Sequence, residues 1–133
     1  MSFRSLPPIK LVVATATLSL FAFATAAQAH PRLVAASPAA NTAIASTTQL
    51  KLTFNEALVA QFSGISIVMT DMPGMKMTTP MSIGAVTSTV AADGKTLVGT
   101  LKSPLPAGTY KLGWHAVTAD THRVEGSYSF TVG

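Results

Sequence analysis

Apolar and polar residues alternate with a period of two in several short segments of this chain, and that alternation constrains the fold more than any other feature. Leu50, Leu52 and Phe54 alternate with Lys51 and Thr53, and Tyr128, Phe130 and Val132 alternate with Ser127, Ser129 and Thr131. Further strands are predicted over Arg32 to Ala36, Gly64 to Thr70, Ser82 to Val90, Thr96 to Leu101 and Thr109 to Val117. In the last of these Tyr110, Leu112, Trp114 and Ala116 share one face. Turn chemistry separates the segments: Ser37-Pro38, Asp93-Gly94 and Pro104-Leu105-Pro106-Ala107-Gly108. Helical periodicity is almost absent. The expected fold is all-β, an antiparallel immunoglobulin-like or Greek-key β-sandwich or barrel of about seven strands. With no cysteine, the Cys…Trp…Cys spacing of an antibody domain is excluded.

The first 29 residues read differently. Arg4 and Lys10 form a positive start, Leu11 to Phe23 an apolar stretch, and Ala27-Gln28-Ala29 a small-residue cleavage site, which is the pattern of a secretory signal peptide. An uncleaved membrane anchor is the alternative, since the stretch to Ala29 approaches the roughly 20 residues that span a bilayer. The small residues before His30 favour cleavage. Residues 1–29 are thus expected to be removed and residues 30–133 to form one domain, exported to the periplasm, with no second membrane-spanning run.

Without cysteine, an exported domain must be held by packing alone, and it cannot bind metal through thiolate. Nine Lys and Arg stand against five Asp and Glu; removing Arg4 and Lys10 leaves 9 − 2 = 7 against 5. The remaining basic residues are scattered singly, with no run that would track a nucleic-acid backbone.

Cleavage after Ala29 makes His30 the mature amino terminus. Its α-amine and imidazole Nδ1 lie on one residue and can close a six-membered chelate ring on a single ion, a pair well suited to copper(II). Pro31 has no amide proton to give up, so that chelate stops at two nitrogens and its other positions must be filled from elsewhere. Asp120-Thr121-His122 is the source in view, because residues two apart in an extended segment project to the same side. By itself an Asp-x-His is an ordinary polar loop; together with His30 it completes three nitrogens and one oxygen. His115, beside Trp114 in a predicted strand, reads as structural or surface-exposed, with an influence on the copper(II) end as the lesser reading. Glu56, at the end of the Leu50 to Phe54 strand, could approach either site, and reads first as a solvated strand-end carboxylate.

Apart from Met1, every methionine falls in one stretch: Met69, Met72, Met75, Met77 and Met81. Pro, Gly, Lys, Thr and Asp separate them, which is not how a core uses methionine to fill gaps. Pro73-Gly74 and Pro80 predict a loop here rather than a helix. Soft, neutral thioethers favour copper(I), and they remain usable where thiols would oxidise. The alternative is a flexible partner-binding loop. Met69 alternates with Ile65 and Ile67, which would turn it inward.

These residues together resemble the CopC family of small periplasmic copper-binding proteins. The resemblance rests on His30-Pro31-Arg32-Leu33-Val34, Phe54-Asn55-Glu56, Gln61-Phe62-Ser63-Gly64 and the stretch Met69 to Met81. It continues through Pro104 to Tyr110, Trp114-His115-Ala116-Val117 and Asp120-Thr121-His122. It implies a Greek-key β-barrel or sandwich with a copper(II) site at one end and a copper(I) site at the other. The implied copper(II) ligands are the amine and imidazole of His30, Asp120 and His122. The implied copper(I) ligands come from Met72, Met75, Met77 and Met81, with Met69 as a further candidate. Two departures stand out. Met77 occupies the region where a histidine is frequent in such methionine loops, and His115 a place where an arginine is common.

The function that follows is a copper carrier, not an enzyme, that sequesters copper(II) and copper(I) for resistance or homeostasis. It would act as a monomer and hand copper to an inner-membrane transporter of the CopD type. Two competing readings exist. One is a metal-free immunoglobulin-like interaction module. The other is a copper-brace oxidative enzyme, which would need an open coordination position that Asp120 would occupy here.

Overall fold

The computed structural model describes residues 31–133 together with Ser2, Arg4, Ser5 and Pro8. His30 and residues 9–29 of the predicted signal peptide therefore lie outside the described residues. Two sheets face each other. One contains β1 (Leu33–Ser37), β3 (Gln49–Phe54), β6 (Thr87–Val90) and β7 (Thr96–Thr100), in the order β1-β3-β7-β6. The other contains β2 (Ala43–Ile44), β4 (Gly64–Met72), β5 (Met75–Ser82), β8 (Gly108–Val117) and β9 (Arg123–Val132), in the order β2-β9-β8-β4-β5. Among the described residues no helix is long and apolar enough to cross a membrane.

The sandwich forms because the alternating strands each have one apolar face to bury. Leu50, Leu52, Phe54 and Leu97 come from the first sheet. Ile65, Ile67, Met69, Tyr110, Leu112, Ala116, Phe130 and Val132 come from the second. Each large side chain buried this way contributes about 1.5–3 kcal/mol of transfer free energy, which lets packing alone hold a domain without disulfides. Gly99 marks how closely the sheets approach: a Cβ there would lie 3.2 Å from Ile65 Cδ1 of the facing sheet.

The structure corrects the expected strand pattern in five respects. Among the described residues there are nine strands rather than about seven, and β2 pairs with β9 in parallel, so the sandwich is not wholly antiparallel. The methionine stretch is a β-hairpin, β4–β5, not a loop. The strand expected over Ser82 to Val90 is broken: β5 ends at Ser82, and β6 begins at Thr87 in the other sheet. Gly84, at φ 48°, supplies the backbone conformation for that crossing. Finally, Asp120 to His122 is a turn and not an extended segment.

Strand β8 is the ruler of the second sheet. Gly64 pairs with His115 near its end, while Asp71 pairs with Thr109 near its start. The β4–β5 turn therefore lies at the Gly108 end of β8, and the β8–β9 turn at the Val117 end. Ten residues at about 3.3 Å each put these two tips on the order of 30 Å apart.

Candidate metal centres

The tip between β8 and β9 is a tight turn. Thr121 N–H donates to Thr118 O at 2.9 Å, and Thr118 N–H donates to His122 O at 2.9 Å. Thr121 sits at φ 71°, a left-handed conformation that a β-branched residue adopts at a cost on the order of 1 kcal/mol. A turn ending in a left-handed residue is a standard way to close a three-residue hairpin loop. It brings Asp120 and His122 together by a different route from the predicted extended segment: His122 Nδ1 lies 3.0 Å from Asp120 Oδ2. Asp120 Oδ1 accepts a short hydrogen bond from the Thr118 hydroxyl. That bond is the main cause holding the Asp120 carboxyl below its ordinary pKa, with His122 adding to it and partial desolvation opposing. Both Asp120 and His122 are exposed.

Among the described residues no three His, Cys, Asp or Glu side chains gather as a metal-holding group. Asp120 and His122 are a pair. The donor set is chemically coherent: a hard anionic oxygen and an imidazole whose Nδ1 faces that carboxylate, leaving Nε2 to point elsewhere. The other two nitrogens named from the sequence both belong to His30.

The segment entering β1 is fastened toward this tip. Arg32 N–H donates to Asn55 Oδ1 at 2.7 Å, and Asn55 N–H returns a bond to Arg32 O at 3.1 Å. Just beyond, Leu58 bridges Thr118, Val59 N–H donates to Val117 O at 2.8 Å, and Ala119 N–H donates to Ala57 O at 3.3 Å. Residues 55–59 thus hold the beginning of the described domain at one end and the β8–β9 tip at the other. Glu56 lies within this strap, half-buried. Phe54 packs edge-on against Trp114, with ring centroids 5.0 Å apart, and stiffens the same end. Sequence reasoning did not give Asn55 or Thr118 a role, because neither side chain has a chemistry that marks it as a support.

His115 lies on the opposite face of β8 from Trp114, as the alternation predicts. Its ring covers Gly64, where a Cβ would come within 2.8 Å of Cε1, and Glu125 is its cross-strand partner. These contacts are those of a structural residue on the outer face of the sheet.

At the other tip, Pro73-Gly74 forms a two-residue turn with Gly74 at φ 72°, matching the Pro-then-Gly pattern of a type II turn. Met72 pairs with Met75 across it, and Met69 pairs with Met81 further down. Between those pairs the register slips, so that Met77 to Pro80 bulge out opposite Thr70. Pro80, which has no amide proton, falls in this bulge. Met72, Met75 and Met81 are 43, 64 and 51% exposed, and Met77 is partly buried against the core. Met69 is 4% exposed; its sulfur lies under Gly108, where a Cβ would come within 3.7 Å of it. Of the five sulfurs, Met69's is therefore the one turned inward, as alternation with Ile65 and Ile67 suggested.

Comparison with known proteins agrees with this architecture. Residues 33–133 match the CopC domain model. The chain is 50% identical over 106 residues to copper resistance protein C of Pseudomonas syringae pv. tomato, covering 80% of this chain and 82% of that protein. It is 42% identical over 131 residues to copper resistance protein C of Xanthomonas campestris pv. juglandis, covering 98% of each. Among solved structures, the methionine-rich copper resistance protein PcoC of Escherichia coli superposes with a TM-score of 0.70 at 41% identity, covering 79% of this chain and all (100%) of that one. CopC of Methylosinus trichosporium OB3b superposes at 0.65 with 30% identity, covering 77% and 93%. The extent of the domain match and these identities show that the chain belongs to the CopC family.

Proposed function

We propose that this chain is a periplasmic copper-binding protein of copper resistance or homeostasis, with copper as its cargo and no catalytic role. Copper(II) is held by the amine and imidazole of His30, Asp120 and His122. Copper(I) is held by Met72, Met75, Met77 and Met81; Met69, the further candidate named from the sequence, is set aside because its sulfur is packed under Gly108. Residues 1–29 are removed on export, and the monomeric domain passes copper to an inner-membrane transporter of the CopD type.

The observation that carries this reading is the separation of two donor sets of opposite softness at opposite ends of β8. An oxygen and nitrogen pair sits at one tip and a row of thioethers at the other. Arg32 is clamped to Asn55, and residues 57–59 of the same strap bond to Val117, Thr118 and Ala119, so one short segment joins the start of the described domain to the tip that carries Asp120 and His122. Ligand sets this different cannot hold one ion equally well in both oxidation states. Oxidation then drives copper toward nitrogen and oxygen, and reduction drives it toward sulfur.

The experiment is a competitive copper(II) titration of protein purified from the periplasm, with intact mass confirming a chain that begins at His30. Tight one-to-one binding is expected. Weak binding by that same correctly processed chain would remove the copper(II) half of the proposal.

A further inference from the structure

We propose that the exposed methionines of the β4–β5 hairpin, Met72, Met75 and Met81, are reversible oxidation sites, and that peroxide acting on them shuts the copper(I) end while leaving the copper(II) end working. The effect on copper rests on the copper(I) reading above; the order in which the sulfurs oxidise does not.

Placement sorts the five thioethers. Strand β5 is an edge strand, and seven of its 8 residues are exposed. Met75 and Met81 lie on it, and Met72 faces Met75 across the turn, so a peroxide can reach all three. Met77, the one residue of β5 that is not exposed, packs partly against the core. Met69 is buried so closely under Gly108 that a Cβ there would come within 3.2 Å of its Cε. Susceptibility of thioethers follows exposure, so Met72, Met75 and Met81 oxidise first, Met77 later and Met69 last.

In each step the sulfur gives an electron pair to one oxygen of hydrogen peroxide. An S–O bond forms, the O–O bond breaks, and the other oxygen leaves as water; the thioether is oxidised to a sulfoxide and the peroxide is reduced. A sulfoxide is polar, which would disrupt packing at Met69 but is accommodated on an exposed edge. The fold therefore survives where oxidation comes first. What changes is the donor: sulfoxide oxygen is hard where thioether sulfur is soft, and copper(I) loses the partners that favour it. Asp120 and His122 contain no sulfur and stand at the other end of β8. Conditions that favour copper(II) thus also withdraw the sulfurs that would hold copper(I). Two thiols restore each thioether: they become a disulfide and the sulfoxide oxygen leaves as water, a step catalysed by methionine sulfoxide reductases.

The test treats exported, processed, copper-free protein with increasing hydrogen peroxide, which is removed before each measurement. Peptide mass mapping reports oxidation at each methionine, competitive titrations report copper(I) and copper(II) affinity, and the urea midpoint reports the fold. Sulfoxide is expected at Met72, Met75 and Met81 while Met69 is intact, with copper(I) affinity lowered about tenfold or more and copper(II) affinity and urea midpoint unchanged. Methionine sulfoxide reductases A and B, one for each sulfoxide epimer, with a dithiol should restore copper(I) affinity. Sulfoxide at Met69 as early as at Met75 overturns the proposal. So does a parallel loss of copper(II) affinity, or copper(I) affinity that stays low after the sulfoxides are reduced. If untreated protein binds copper(I) and the oxidised protein binds it equally well, the switch alone fails; if untreated protein binds none, the copper(I) reading fails and the switch falls with it.

Discussion

The two hairpin tips of the second sheet are built on opposite plans. The β8–β9 tip is closed on itself: backbone bonds from Thr118 and Thr121, a buried hydroxyl and a carboxylate hold its side chains in one arrangement. The β4–β5 hairpin is open. Three of its five methionines are exposed, three lie along the edge strand β5 and two on β4, and a four-residue bulge interrupts the register between them. A directional nitrogen and oxygen site gains from being arranged beforehand, since less order is left to impose on binding. Flexible thioether side chains can close around an ion from many starting positions, so a fixed scaffold matters less there. Rigidity and adaptability are divided between the ends of one strand.

The largest effect should come from the closed tip. Placing one extra residue ahead of His30, or making His122→Ala, removes donors from the copper(II) set. If on the order of 10 kcal/mol is shared among four donors, each loss costs about a hundredfold in affinity. Copper(I) binding should not change, and competition titrations with chelators selective for each oxidation state would check both. A parallel loss of copper(I) affinity would break the separation of the ends.

Next in size is Gly126→Ala. A Cβ at Gly126 would run into the Trp114 ring, which packs on Phe54 beside the strap of residues 55–59. Overpacking of this kind costs about 1–3 kcal/mol, visible as a lowered urea midpoint. Copper(II) affinity should fall more than copper(I) affinity, because the displaced ring stands at the closed end.

A smaller effect is expected from Met72→Leu combined with Met75→Leu. These exposed residues face each other across the turn, and leucine keeps their bulk while removing sulfur. Copper(I) affinity should fall about tenfold, or about 1.4 kcal/mol, with the urea midpoint unchanged. Met69→Leu should leave copper(I) affinity as it was, since its sulfur is packed under Gly108. A loss from Met69→Leu equal to that of the double variant would show that the hairpin opens to bind.

The smallest effect lies between the ends. Tyr128 donates its hydroxyl to Pro38 O at 2.7 Å, and burial pushes its pKa up to about 12. The unfolded chain ionises near 10, so this contribution is complete below about pH 10 and is lost as pH rises toward 12. Tyr128→Phe should flatten that part of the stability profile while leaving both copper affinities alone.

Strands β3 and β9 were legible from sequence because each buries alternate residues and exposes the rest. Strand β5 was not: nearly all its residues are exposed, and Pro80 with the neighbouring bulge erases any period of two. Strand β2, two residues long, is too short to carry a pattern. That Asp120 and His122 stand together was expected from their spacing, whereas the turn that pairs them depends on a left-handed Thr121 that spacing does not reveal. Thr118 and Asn55 act only through what they touch, and touching is a property of the fold.

The most direct test of a hard end and a soft end sharing one ion is X-ray absorption on protein carrying one copper, measured before and after anaerobic reduction by ascorbate. Nitrogen and oxygen neighbours in the oxidised sample, replaced by sulfur neighbours in the reduced one, are the expected result. A first shell that keeps its nitrogen and oxygen neighbours after reduction, or one containing sulfur in both states, would contradict it.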